Sequence, residues 1–111
     1  MFDRVTQGAV DVIQGDLPVA ADHVEEIAGL FGQSLLSGQP YVVLDLEDVP
    51  LIDSAGLELL LDFQDKFQQL GGALKLAALN PLCSDILSVT GHRGSFEIFP
   101  DALSAVGSFV R

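Results

Sequence analysis

"YVVLDLEDVPLIDSAGLELLLDF", residues 41–63, changes its hydrophobic period once, and that change points to the fold class. Tyr41 to Leu46 is a compact β-rich run, apolar on both faces at its start, as expected of a strand in the middle of a covered sheet. From Ala55 to Leu70 the apolar positions take helical spacing, with Leu57, Leu60, Leu61, Gln64, Phe67 and Leu70 marking one face and Gly71-Gly72 ending it. Asp53-Ser54-Ala55-Gly56 interrupts the two apolar runs with a carboxylate, a hydroxyl and two small residues.

The same alternation of periods extends in both directions. Upstream, "FDRVTQGAVDVIQG" predicts a hairpin turning near Gln7-Gly8, with Val5, Val10 and Val12 in one register. Asp22 followed by Glu25 predicts a capping box opening a helix over residues 22–36, with Val24, Ile27, Ala28, Phe31 and Leu35 inward, stopped by Ser37-Gly38-Gln39-Pro40. Downstream, "ALKLAAL" reads as a strand. Asn80-Pro81 then opens a short helix through Leu82, Ile86, Leu87 and Val89, "FEIF" supplies a last strand, and Asp101 starts a final helix with Leu103, Val106 and Val110 inward. The predicted order is β-β-α-β-α-β-α-β-α, an α/β fold with a mixed sheet: parallel strands joined through helices, plus a leading antiparallel hairpin.

A length of 111 residues predicts one domain over 1–111, and 49% apolar residues with a mean hydropathy of +0.41 supply a core. Sixteen Asp and Glu against five Lys and Arg leave a formal charge of −11, which repels a phosphate backbone, so direct nucleic acid binding is not expected. No apolar run approaches the roughly 18 residues of a membrane span, and Met1 to Gln7 holds no leader-like pattern. A cytoplasmic protein without membrane insertion is therefore expected. The single Cys83 reads as a small apolar filler.

Ser54 stands where the loop enters the second helix, at or beside the N-cap. One reading is structural: the side chain accepts a hydrogen bond from a free backbone N–H, contributing about 1 kcal/mol. Asp53 then adds charge near the positive end of the helix dipole. The other reading uses the same physics, since a phosphate on Ser54 would lie against unpaired N–H groups at a helix start. Ala55 and Gly56 would leave the hydroxyl open to a partner's active site. Phosphorylation adds about −1.5 to −2 charges, which on a face bearing Glu47, Asp48 and Asp53 would repel an acidic partner or break a close-packed interface. The residues alone leave both readings open.

"YVVLDLEDVPLIDSAGLELLLDFQDKFQQLGGALKLAALNP", residues 41–81, resembles the STAS domain of bacterial anti-sigma factor antagonists. The most specific part is an apolar strand, an acidic L-E-D bend and the D-S-x-G turn, followed by the helix, the Gly-Gly stop and the next strand in the family's order. The resemblance implies a non-enzymatic switch without cofactor, metal or catalytic residues of its own. Its implied partner is an anti-sigma factor serine kinase that phosphorylates Ser54, with a phosphatase to reset it. The implied partner-facing set is Asp16, Glu47, Asp48, Asp53, Ser54, Ala55 and Gly56.

One motif departs from the family, which carries G-x-L-D after its second strand where this chain has Gly15-Asp16-Leu17-Pro18. Asp16 is the nearby carboxylate that would take the acid's place. Pro18 also favours an alternative, a STAS subunit bracing the ATPase of a lipid-transport ABC complex, with Ser54 mainly a cap. A hydrolase with Ser54 activated by His92 or His23 lacks the G-x-S-x-G elbow; His92-Arg93 reads as a solvated loop and His23 as exposed. Asp45, Glu47, Asp48 and Asp53 lack the acidic pair and lysine that a magnesium-dependent receiver would add, and they read as a solvated edge.

Overall fold

The computed structural model describes residues 1–109. β1 (Phe2–Gln7) and β2 (Val10–Gly15) form the hairpin, turning at Gly8, whose φ of 63° suits a residue without a Cβ. A 3-10 turn at Ala21–His23 leads into α1 (Val24–Leu36), followed by β3 (Tyr41–Asp45) and α2 (Ser54–Gln69). Then come β4 (Ala73–Ala77), α3 (Pro81–Val89), a 3-10 turn at Arg93–Ser95, β5 (Ile98–Phe99) and α4 (Ala102–Phe109). The element order is the predicted one. Among the described residues no helix is long and apolar enough to cross a membrane.

The five strands lie in sequence order, β1 antiparallel to β2 and the others parallel. Parallel strands added successively in one direction through right-handed crossovers place every connecting helix on the same face. So α1, α2 and α3 share one face, and α4, which no strand follows among the described residues, closes the other. The register makes two cores of this. Ile13, Leu44, Leu76 and Ile98 form a rung on the first face and pack with Phe31, Leu60, Phe63 and Phe67. Val12 and Val43 lie on the second, with Val10, Ala77 and Ala105. β3 is central and covered on both sides, which is why its start reads as a continuous apolar run.

Strand alternation turns Asp11 toward the first face, where it is fully buried. Its carboxylate accepts hydrogen bonds from Ser34 Oγ of α1 at 2.6 Å and Thr6 Oγ1 at 2.8 Å, and pairs with Arg4 Nη1 at 3.2 Å. A buried charge persists only when so satisfied, and this cluster ties the edge hairpin to α1. Gln64 does the same for α2: Nε2 donates to the Ser95 carbonyl and Oε1 accepts from Leu74 N at 2.7 Å. That is why a glutamine belongs to the buried face of the helix.

Several expected core positions are exposed instead: Leu70, Leu82, Val89 and Leu103. Leu70 lies one residue beyond α2, where the chain reverses at Gly71. α3 is short and buries only Cys83 and Leu87. α4 packs through Ala102, Ala105, Val106 and Phe109, a stripe turned from the expected Leu103–Val106 line. Val110, also expected inward, lies outside the described residues. Val5 pairs with Val12 as expected yet is 42% exposed, because it sits on the edge strand.

Candidate functional site

The loops leaving the C-terminal ends of β2 and β3 meet at a single bridge. Val19 pairs with Ile52: Val19 N donates to the Leu51 carbonyl at 3.0 Å, and Asp53 N donates to the Val19 carbonyl at 3.1 Å. Gly56 makes this approach possible. A Cβ there would stand 1.9 Å from the Val19 carbonyl oxygen, so the first turn of α2 can rest on the Val19 backbone only with glycine at that position. Gly56 is thus buried packing, and Ala55 is half-buried. This packing role of Gly56 is additional to the expectation that the two small residues leave the Ser54 hydroxyl open.

Asp53, one residue before Ser54, is the N-cap of α2. Its Oδ1 accepts from Gly56 N at 2.8 Å and its Oδ2 accepts from Ala21 N at 3.0 Å. One carboxylate therefore caps α2 and also satisfies the N–H that opens the 3-10 turn before α1. The Asp22–Glu25 capping box does not form, since neither the 3-10 turn nor α1 has a side-chain cap. These backbone N–H groups, Gly56 foremost and then Ala21, hold the Asp53 carboxyl below the usual carboxylate range.

With the cap supplied by Asp53, Ser54 becomes the first residue of α2, exposed, its hydroxyl unbonded among the described residues. It stands at the rim of a groove of about 320 Å³ between α2 and α3. Leu57 and Leu61 form one wall, Ile86 and Thr90 the other, and Asp53, Glu58 and His92 supply its charged and titratable groups. His92 is therefore not in a free solvated loop. His23 is half-buried, its ring 6.5 Å from that of Phe2.

The expected partner-facing set does not converge in one concavity. Asp3, Gln14 and Asp45 form a rung two residues beyond Val12 and Val43, hence on the face that carries α4. With Asp16, Glu47 and Asp48 they line a separate acidic cleft of about 310 Å³. Asp45 Oδ1 accepts from Glu47 N at 3.1 Å, which sets the L-E-D bend, and Asp16 pairs with the Met1 amino group at 2.7 Å. Asp53 and Ser54 lie with the helices of the opposite face. The sequence reading also missed half of Asn80. Its Oδ1 caps α3 through Cys83 N, as expected, while Nδ2 donates to the Val49 and Pro50 carbonyls and so anchors the loop that delivers Ser54.

A family model described as the STAS domain matches residues 4–105. The chain belongs to the STAS domain family. A Bordetella bronchiseptica protein provisionally named anti-sigma factor antagonist BtrV is 25% identical over 108 residues, covering 97% of this chain and 91% of its own. A solved Thermotoga maritima structure, provisionally described as an anti-sigma factor antagonist, superposes with a TM-score of 0.92 at 21% identity over 99% of this chain and 95% of the other. Unphosphorylated SpoIIAA, a Bacillus anti-sigma factor antagonist, gives 0.84 at 17% identity over 98% and 96%. At these identities the two structures establish the fold of the STAS domain.

The double role of Asp53 gives this STAS domain a measurable pH signature. Asp53→Ala removes a cap and a tie between two loops and is expected to cost about 2 kcal/mol in urea titrations at pH 7. A carboxyl lowered by folding contributes stability that is complete above its unfolded pKa, about 3.9, and is lost as the pH falls through its lower folded value. The gap between parent and variant should therefore narrow below pH 4. A gap constant from pH 7 to 3 would mean that the charge of Asp53 is not what the two N–H groups hold.

Proposed function

We propose that this STAS domain is an anti-sigma factor antagonist, a cytoplasmic binding module and not an enzyme. Its unphosphorylated form occupies an anti-sigma factor kinase and so frees a sigma factor. The kinase, which brings its own ATP and magnesium, ends this by phosphorylating Ser54, and a phosphatase resets the cycle. The observation that carries the reading is the division of labour at the start of α2: Asp53 caps, so Ser54 presents a free, exposed hydroxyl at a helix N-terminus. A phosphate tolerated by the fold there is intolerable in a closed interface. The names of the Bordetella and Bacillus relatives support the same class.

The docking surface is the α2–α3 groove, with Ser54 at its rim beside Asp53 and Glu58. The acidic cleft of Asp16, Glu47 and Asp48 is a second, separate contact, on the other face of the sheet. Adding the chain to a preformed complex of its cognate anti-sigma kinase and the sigma factor should release the sigma factor on size-exclusion chromatography. Ser88→Asp, on the exposed side of α3, should release it equally, and Ser54→Asp distinctly less. No release by the parent chain would refute the antagonist reading.

Pro18 keeps the transporter-brace reading distinct, because it replaces an acid next to the Val19 bridge. On that reading the chain co-purifies with an ABC ATPase, and Ser54 substitutions leave the complex unchanged.

A further inference from the structure

The α2 dipole favours an anion at Ser54, but the groove beside it is lined by acids and by no lysine or arginine. Asp53 and Glu58 face it from α2, and from α3 it receives a helix C-terminus, the negative end of the dipole. Of the side chains lining it, only that of His92 can become positive. The chain places His92 there by backbone geometry. α3 ends in a Schellman turn: Gly91, with φ 77°, donates its N–H to the Ser88 carbonyl at 3.1 Å, and His92 N donates to the Leu87 carbonyl at 2.9 Å. The His92 carbonyl in turn accepts from Ser95 N at 3.0 Å. Held at both ends, His92 lines the groove half-buried, while its neighbour Arg93 is turned to Ser84 Oγ at 2.6 Å.

We propose that His92 is the built-in countercharge for a phosphate on Ser54. The proposal rests on the reading of Ser54 as phosphoacceptor and adds to it the group that receives the modification. Phosphoserine carries up to two negative charges, and imidazole is the only side chain lining the groove that can carry a positive charge to meet them. A positive imidazole there would favour the dianionic phosphate and offset Asp53 and Glu58. Asp85, on α3, is exposed and does not line the groove.

The test separates this inference from the reading beneath it by installing phosphoserine at position 54 through amber-codon incorporation, without any kinase. The ³¹P shift of the phosphate is then titrated from pH 4 to 9 in the parent, His92→Gln and His23→Gln, each checked for folding by circular dichroism. The midpoint should be higher in His92→Gln than in the parent by about 0.5 pH unit, the shift of an exposed opposite-charge pair, and unchanged in His23→Gln. Equal midpoints in the parent and His92→Gln, or an equal rise in His23→Gln, would overturn the role of His92. Failure of the cognate kinase to label Ser54 would instead overturn the phosphoacceptor reading, and the ³¹P result would stand apart from it.

Discussion

A phosphate on Ser54 is expected to weaken the complex with the anti-sigma kinase about 100-fold, or roughly 2.7 kcal/mol, while the melting temperature of the free chain stays nearly constant. Both halves follow from the same geometry. In the free chain the added charge lies at the first turn of α2, where the helix dipole favours an anion. In the complex it would be desolvated next to Asp53 and Glu58, and one to three altered charge-assisted contacts suffice for the loss. Ser54→Asp, with one charge and fewer acceptor oxygens, should lose about 10-fold. Ser54→Ala should leave stability nearly unchanged, because Asp53 and not Ser54 is the cap. Calorimetric titration reads the affinities. Identical values for the phosphorylated and unphosphorylated chains would place Ser54 outside the interface.

The largest effect on the fold itself is expected at Gly56. An added Cβ would meet the Val19 carbonyl oxygen at 1.9 Å and its carbon at 2.6 Å, so either α2 or the Val19 segment must move. Such movement breaks the hydrogen bonds of Val19 N with Leu51 and of Asp53 N with Val19, and it pulls Ala21 away from Asp53. Overpacking and the lost hydrogen bonds together should cost about 3 kcal/mol in Gly56→Ala, on the order of 10–15 °C in Tm. Gly29→Ala is the control. It stands inside α1 with nothing within 4 Å of its added Cβ, and should stabilise by about 0.5–1 kcal/mol. A Gly56→Ala melt matching the parent would mean that the close contact between α2 and Val19 is not held in solution.

The order of elements was legible because each strand and helix carries its own period, and α2 also carries a glycine stop. The D-S-x-G turn stood out in the sequence because its composition breaks both periods. What escaped the sequence is what depends on contacts between distant segments. The Asp22–Glu25 capping box is locally plausible, yet Asp53, 32 residues from Ala21, supplies the acceptor. Asp45 and Asp53 are close in the chain but lie on opposite faces of the sheet, because Asp45 follows the alternation of β3 while Asp53 ends a loop that crosses to the helices. Leu103 fits a helical stripe one step from the real one, which is set by the small Ala105 lying against β2–β4. Nothing in the local sequence places His92 in a groove with Ser54; that takes the Schellman turn at Gly91 and the placement of α2 and α3 on either side of the groove.

The central claim is that Ser54 is the phosphoacceptor, and intact-mass spectrometry with site mapping tests it most directly. The chain is incubated with ATP, magnesium and its cognate anti-sigma kinase. The account predicts a mass increase of a single phosphate, mapped to Ser54 and absent from Ser54→Ala. Phosphate on Ser84, Ser88 or Thr90, or an unmodified parent chain in the presence of an active kinase, would contradict it.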